Sequence, residues 1–136
     1  MNDCLFCKII AGEIPAQKVY EDEKVLAILD IKPINPGHVV VILKEHAEDI
    51  LDASEENAKA GIAAAQKIGL TLKRALGAGG INIHVNNGAV AGQMIKHAHL
   101  HVIPRFENDG RECWVGKEYD PGEMEATAEK IRQAMI

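Results

Sequence analysis

Apolar positions change period along the chain, and the changes mark its elements. Two short runs, "KVYED" at 18–22 and "VLAILDI" at 25–31, read as strands joined by a turn from Glu21 to Lys24. "PGHVVVIL" is a turn followed by the β-branched run 39–43, which predicts a buried strand. From Ser54 to Leu76 the period lengthens: Ala58, Ile62, Ala65, Gly69, Leu72 and Leu76 recur at spacings of three to four, the face of a helix. Ser54 is its expected N-cap, Glu55 and Glu56 suit its first turn, and "GAGG" at 77–80 stops it. "INIHVN" at 81–86 is a strand, "NNGAVAGQ" at 86–93 a glycine-bearing loop, and "HAHLHVI" at 97–103 a strand that Pro104 is expected to end. The stretch "CLFCKIIAGEIP" predicts a short helix closed by Gly12 and Pro15. "DPGE" at 120–123 predicts a last helix, with Asp120 as cap, Pro121 first and Glu123 reaching back. Met124, Ala128, Ile131 and Met135 are its apolar stripe. About five strands, mostly antiparallel, with one long helix and short terminal helices make an α+β domain.

Composition adds bounds. A chain of 136 residues predicts one domain over 1–136, with a core at about 4–105 and an extension at about 106–136. The net charge of -5 and the lack of a basic run argue against a grip on nucleic-acid backbone, while leaving room for a small anionic ligand. No apolar run is long enough to span a bilayer, and the start lacks the features of a secretory signal. Three cysteines, two of them in a CxxC, point to a reducing cytoplasm rather than a disulfide framework.

Candidate chemistry concentrates in "KHAHLHVIPR". Half of the six histidines fall here, at 97, 99 and 101. On a strand all three imidazoles project from one face, roughly 7 Å apart between successive Cα atoms, while Ala98, Leu100 and Val102 enter the core. Two uses fit: ligation of a metal, or attack by a neutral imidazole on phosphorus. An uncharged ring nitrogen suits the second, because phosphate oxygens repel a carboxylate. The loop at 86–93 adds Asn, Gln and backbone N–H donors of the kind that hold phosphate oxygens.

"GQMIKHAHLHVIP" resembles the signature of the histidine triad (HIT) superfamily, and "CLFCKIIAGEIPAQKVYEDEKVLAILDI" resembles the N-terminus of its small nucleotide-binding branch. The resemblance implies the HIT-like fold and a nucleotide-binding hydrolase or transferase. Its reaction lies at the α-phosphorus of purine nucleoside monophosphate derivatives, such as those of AMP or GMP, with a phosphoramidate or acyl/anhydride leaving group, and passes through a nucleotidyl-histidine. It implies His99 as nucleophile, His101 at the α-phosphate and leaving group, His97 as first triad member and His38 as the remote support. Asn86, Gly92 and Gln93 match the phosphate site, Asp30 the ribose carboxylate, and Phe6, Ile9 and Ile28 the apolar slot for the purine. It also implies a homodimer and no catalytic cofactor. Rival readings are a dinucleoside polyphosphate hydrolase or phosphorylase and a non-catalytic nucleotide-binding scaffold. Two positions depart from the branch: Met94 stands where a hydroxyl residue is common, and Lys96 where an aromatic is common. Trp114 is a candidate for closing the pocket or for packing at an interface.

By itself, Cys4-x-x-Cys7 is open between a redox pair, two buried side chains and half a zinc site, for which His46 in "LKEHAEDI" suits as a third ligand. Similarity to galactose-1-phosphate uridylyltransferases implies the set Cys4, Cys7, His46 and His97 around a structural zinc. Cys113 reads as an unpaired structural thiol and His84 as an ordinary strand histidine.

Overall fold

The computed structural model describes residues 3–135. Its elements run α1 (Leu5–Ile10), β1 (Lys18–Glu21), β2 (Val25–Leu29), β3 (Val39–Leu43), α2 (Glu55–Leu76), β4 (Gly80–His84), β5 (His99–Arg105) and α3 (Glu123–Ala134). All five strands pair antiparallel in the order β1-β2-β3-β5-β4, which makes the fold α+β as expected. No described helix is long and apolar enough to cross a membrane.

Alternation on the strands divides the interior into two layers. One face of the sheet carries Val25, Ala27, Val39, Val41, Leu43, Leu100 and Val102 against Ala64, Ala65, Ile68 and Leu72 of α2. On the other, Leu26, Ile28, Val40 and Ile42 meet Phe6 and Ile9 of α1. Val40 pairs with His101 and Ile42 with His99, so both histidines rise from this second face beside α1.

The long helix has the expected period but a rotated face. Gly61, Ala64, Ala65, Ile68, Gly69 and Leu72 are buried, whereas Ile62 and Leu76 lie about half exposed. Closeness decides this: a Cβ on Gly61 would stand 2.9 Å from Leu100 Cδ1 and 3.1 Å from Leu43 Cδ2. The small residues therefore seat the helix on its own sheet. Ser54 caps it, its hydroxyl accepting from Asn57 N–H at 3.1 Å, and Gly77 closes it in the left-handed region at φ 68°. Ser54→Ala is expected to cost about 1 kcal/mol, read as a lower urea midpoint at unchanged slope.

Three boundaries differ from expectation. β5 does not end at Pro104 but runs on to Arg105. Leu43 N–H donates to Ala98 O, so even-numbered residues of β5 turn their N–H groups toward β3, and β3 stops opposite Val102. The N–H that Pro104 lacks thus has no strand to meet. Second, His97 precedes β5 instead of lying in it. Third, α3 starts at Glu123 with Gly122 at φ 80° as its cap, not Asp120. The left-handed glycine interrupts the helical path after Pro121, although Glu123 Oε1 does accept from Asp120 N–H at 2.8 Å. α3 buries no residue.

Candidate functional site

Two clusters of histidine share the end of the second face. In the first, Cys4 caps α1, its sulfur accepting from Cys7 N–H at 3.3 Å, so both sulfurs sit at the first turn of that helix. His46 follows β3 and His97 precedes β5, and these chain ends meet α1. Cys4 Sγ is 3.3 Å and Cys7 Sγ 3.5 Å from His97 Nδ1; Cys7 Sγ is 3.3 Å and His97 Nδ1 3.1 Å from His46 Nδ1. The fully buried His97 donates from Nε2 to Leu43 O at 2.6 Å, which fixes its tautomer and turns the Nδ1 lone pair toward the sulfurs. Ligands at zinc distances on a tetrahedron stand about 3.3–3.7 Å apart, so two thiols and two imidazoles at these separations fit that metal. The bond to Leu43 O is the outer support such a ligand normally has. Burial, and then the neighbouring Cys4, push the Cys7 thiol up to about 11.

In the second cluster the hydrogen bonds determine where each proton sits. His99 donates from Nδ1 to the His97 carbonyl at 2.6 Å, which leaves Nε2 with its lone pair. His38 Nδ1 accepts from Ile34 N–H at 3.1 Å, so its proton is on Nε2, which donates to His101 Nδ1 at 2.9 Å. The proton of His101 is therefore on Nε2. Asp30, His38 and His101 also cluster closely enough to ligate a cation. However, the Ile34 amide commits His38 Nε2 to being a donor, so this trio is wired for protons rather than metal. Asp30 Oδ2 lies 3.6 Å from His38 Nε2, while Oδ1 accepts from Lys32 N–H at 2.8 Å. The ribose candidate is thus also the residue that turns the chain out of β2.

Burial keeps these rings neutral. It pushes His101 down to about 4, helped by the adjacent His99 and His38, against the weaker opposite pull of Asp30. His99 and His38 are lowered by the same desolvation. The His97 carbonyl and Asp30 act the other way on His99 without reversing it. At neutral pH the cluster offers one free lone pair, on His99, and one outward N–H, on His101.

The remaining candidates fall into two groups. Phe6, Ile9 and Ile28 are buried in one layer, and Phe6 stands edge-on to His99 with ring centroids 5.0 Å apart. Asn86 sits beside Gly92, whose φ of 96° needs glycine; a Cβ there would meet Asn86 Nδ2 at 3.5 Å. Gln93 is placed differently: Nε2 donates to Glu48 O and Ile95 O, and Oε1 accepts from Gly88 N–H. Its amide is spent on holding the loop. His84 lies in β4 as the cross-strand partner of His101, with its ring centroid 6.2 Å from that of Trp114. Met94 is exposed.

Sequence reasoning missed the Ile34 amide and the brace around it. The buried Asn35 donates to Pro104 O and Asp109 Oδ2, both at 2.9 Å. Arg105 holds Asp109 through Nε and Nη2, keeping its carboxyl well below the usual carboxylate range. This ties the loop that carries His38 to the end of β5. Partners separated by some seventy residues leave no local pattern to read.

The HIT domain family is matched over residues 11–108. The chain belongs to the HIT family. HIT relatives include the adenylylsulfatase HINT3 of Arabidopsis thaliana, 44% identical over 108 residues, which cover 79% of this chain and 55% of that one. A crystal structure from Streptococcus mutans superposes with a TM-score of 0.94 at 45% identity, covering 100% of this chain and 87% of that one. A zinc-bound HIT protein of Mycobacterium smegmatis superposes with a TM-score of 0.77 at 36% identity, covering 98% of both. The HIT fold thus frames both clusters.

Proposed function

We propose that this HIT protein is a hydrolase or transferase for purine nucleoside monophosphates carried on a leaving group through an α-phosphoanhydride bond. The observation that carries the reading is the bond from His99 Nδ1 to the His97 carbonyl, which prepares a neutral ring with its Nε2 lone pair free. Nε2 attacks the α-phosphorus; the P–Nε2 bond forms as the bond to the leaving group breaks. The Nδ1–H···O=C contact stabilises the positive charge that then develops on the ring. His101 Nε2–H donates a hydrogen bond to the departing atom. Water next attacks the adduct, the P–Nε2 bond breaks, the nucleotide leaves and His99 is regenerated.

Anhydrides are favoured over phosphoramidates for two reasons. Burial holds the pKa of His101 down to about 4, so it is a neutral donor at pH 7 and not an imidazolium acid. Met94 supplies no hydroxyl to pass a proton to an amine. A sulfate, carboxylate or phosphate departs as an anion and needs only the hydrogen bond. The named activity of the Arabidopsis relative is in keeping with this. Asp30 is read as the ribose acceptor, with Phe6, Ile9 and Ile28 walling the base and Asn86 and the Gly92 backbone serving the phosphate. Gln93 shapes that loop from behind. Cys4, Cys7, His46 and His97 would hold zinc, which supplies a structural cross-link of α1 to the strand ends. Exposed Ile62 and Leu70 on α2, Met124 and Ile131 on α3 and Met135 at its C-cap support pairing with a second copy, and free thiols at Cys4 and Cys7 suit a reducing cytoplasm.

Adenylyl sulfate, an acyl adenylate, a diadenosine polyphosphate and an AMP-amine offered side by side test the reading. Expected is a kcat/KM at least about tenfold higher for the first two than for the amine. Faster amine cleavage overturns the anhydride assignment, and nucleotide binding without turnover of any of them favours the scaffold.

A further inference from the structure

We infer that metal occupancy at Cys4, Cys7, His46 and His97 controls the orientation of His99, so that His97 is a positioning residue and the site an exchangeable control point. This rests on His99 being the nucleophile. His97 is held from three directions. Its Nε2 donates to Leu43 O at 2.6 Å, its Nδ1 faces the two sulfurs and His46, and its carbonyl accepts the proton that fixes the tautomer of His99. Whatever holds the Nδ1 side of that ring therefore helps to hold the carbonyl two residues along the chain from the nucleophile.

The second link runs through α1. Its six residues are too few to persist as a helix unaided. Its attachments include the two sulfurs, the buried Phe6 and Ile9 and the partly buried Ile10. Phe6 stands edge-on to both His97 and His99, at 5.9 and 5.0 Å between centroids. Releasing the sulfurs loosens the residue that walls both rings.

Access makes the link a control rather than a permanent rivet. Of the four ligands only His97 is fully buried; Cys4, Cys7 and His46 are partly exposed. A surface cleft of about 400 Å³ reaches Cys4 and His46 between Asp3, Glu48, Met94 and Lys96. A small chelator or a metal donor can therefore reach the ligands without unfolding the sheet.

The test uses the whole protein at neutral pH, with zinc titrated from below to above one equivalent after chelation. Metal content, far-ultraviolet dichroism, the ring nitrogen shifts of His99 and AMP affinity by calorimetry are read together. Zinc is expected to bind at one equivalent. As occupancy falls, the His99 signals move from a single Nδ1–H form to a mixture, AMP binding weakens about tenfold and turnover falls about a hundredfold, with the sheet signal unchanged. Added zinc restores all three. Cys4→Ala is expected to shift the same changes to higher zinc concentration. Failure to bind zinc, an unchanged His99 tautomer and AMP affinity at zero occupancy, or global unfolding on metal loss each overturns the inference. The tautomer is read without substrate, so it judges this inference even if every candidate substrate proves inert.

Discussion

Replacing His99 with alanine is expected to lower turnover of an adenylyl anhydride by a factor on the order of 10⁴ or more, while AMP affinity stays within about tenfold of the parent. The asymmetry follows from what the ring touches. Its lone pair is the proposed nucleophile, whereas the proposed base and ribose contacts come from α1, Ile28 and Asp30. The cluster also offers no substitute: the proton chain from the Ile34 amide through His38 leaves His101 with its N–H outward. His101→Asn, which keeps a donor but breaks the link to His38, is expected to cost the 10²- to 10³-fold typical of one weakened transition-state contact. Quenched-flow with the parent protein adds a direct check: a burst of leaving group and a protein mass increased by one nucleotidyl group, both absent in His99→Ala. Turnover that survives His99→Ala removes the histidine from the role of nucleophile.

Local pattern carried the fold further than it carried the site. Strand and helix existence was legible because the apolar period changes abruptly, and the turn before β2 because Asp22 Oδ1 accepts from both Lys24 and Val25 N–H, as its sequence position suggests. The buried face of α2 was not, since Gly61 and Ala64 gain their place from proximity to Leu43 and Leu100 rather than from hydrophobicity. In the candidate site, which residues gather was legible in part, but which atom each one offers was not. Alternation placed the triad on one surface; it could not show that His97 lies beyond the strand with its ring among the sulfurs, while its carbonyl serves His99. Gln93 read as a phosphate ligand because amides suit that task. Only three-dimensional neighbours reveal that its donors are already taken by Glu48 and Ile95.

Acidification from pH 6.5 to 4 is expected to destabilise the fold before most carboxylates titrate, with His101 the largest named contributor. In the unfolded chain a histidine takes up its proton near 6.5; in the fold His101 does so only near 4. Between those values the unfolded chain binds a proton that the folded one refuses, so stability is full above about pH 6.5 and is lost as pH falls toward 4. That shift alone corresponds to about 3 kcal/mol. His38 and His99 are lowered by the same burial and add in the same direction. Urea midpoints of the parent and of His101→Asn, compared across this range, isolate the effect, because loss of metal and protonation elsewhere are common to both. The parent is expected to lose stability more steeply than the variant, and turnover to fall over the same acid limb as the rings acquire charge and His99 loses its lone pair. Parallel stability curves would mean that His101 takes up its proton near 6.5 in the fold, as it does in the unfolded chain. A fraction of it would then be imidazolium near neutral pH and able to act as an acid, and the preference for anionic leaving groups would lose its physical basis.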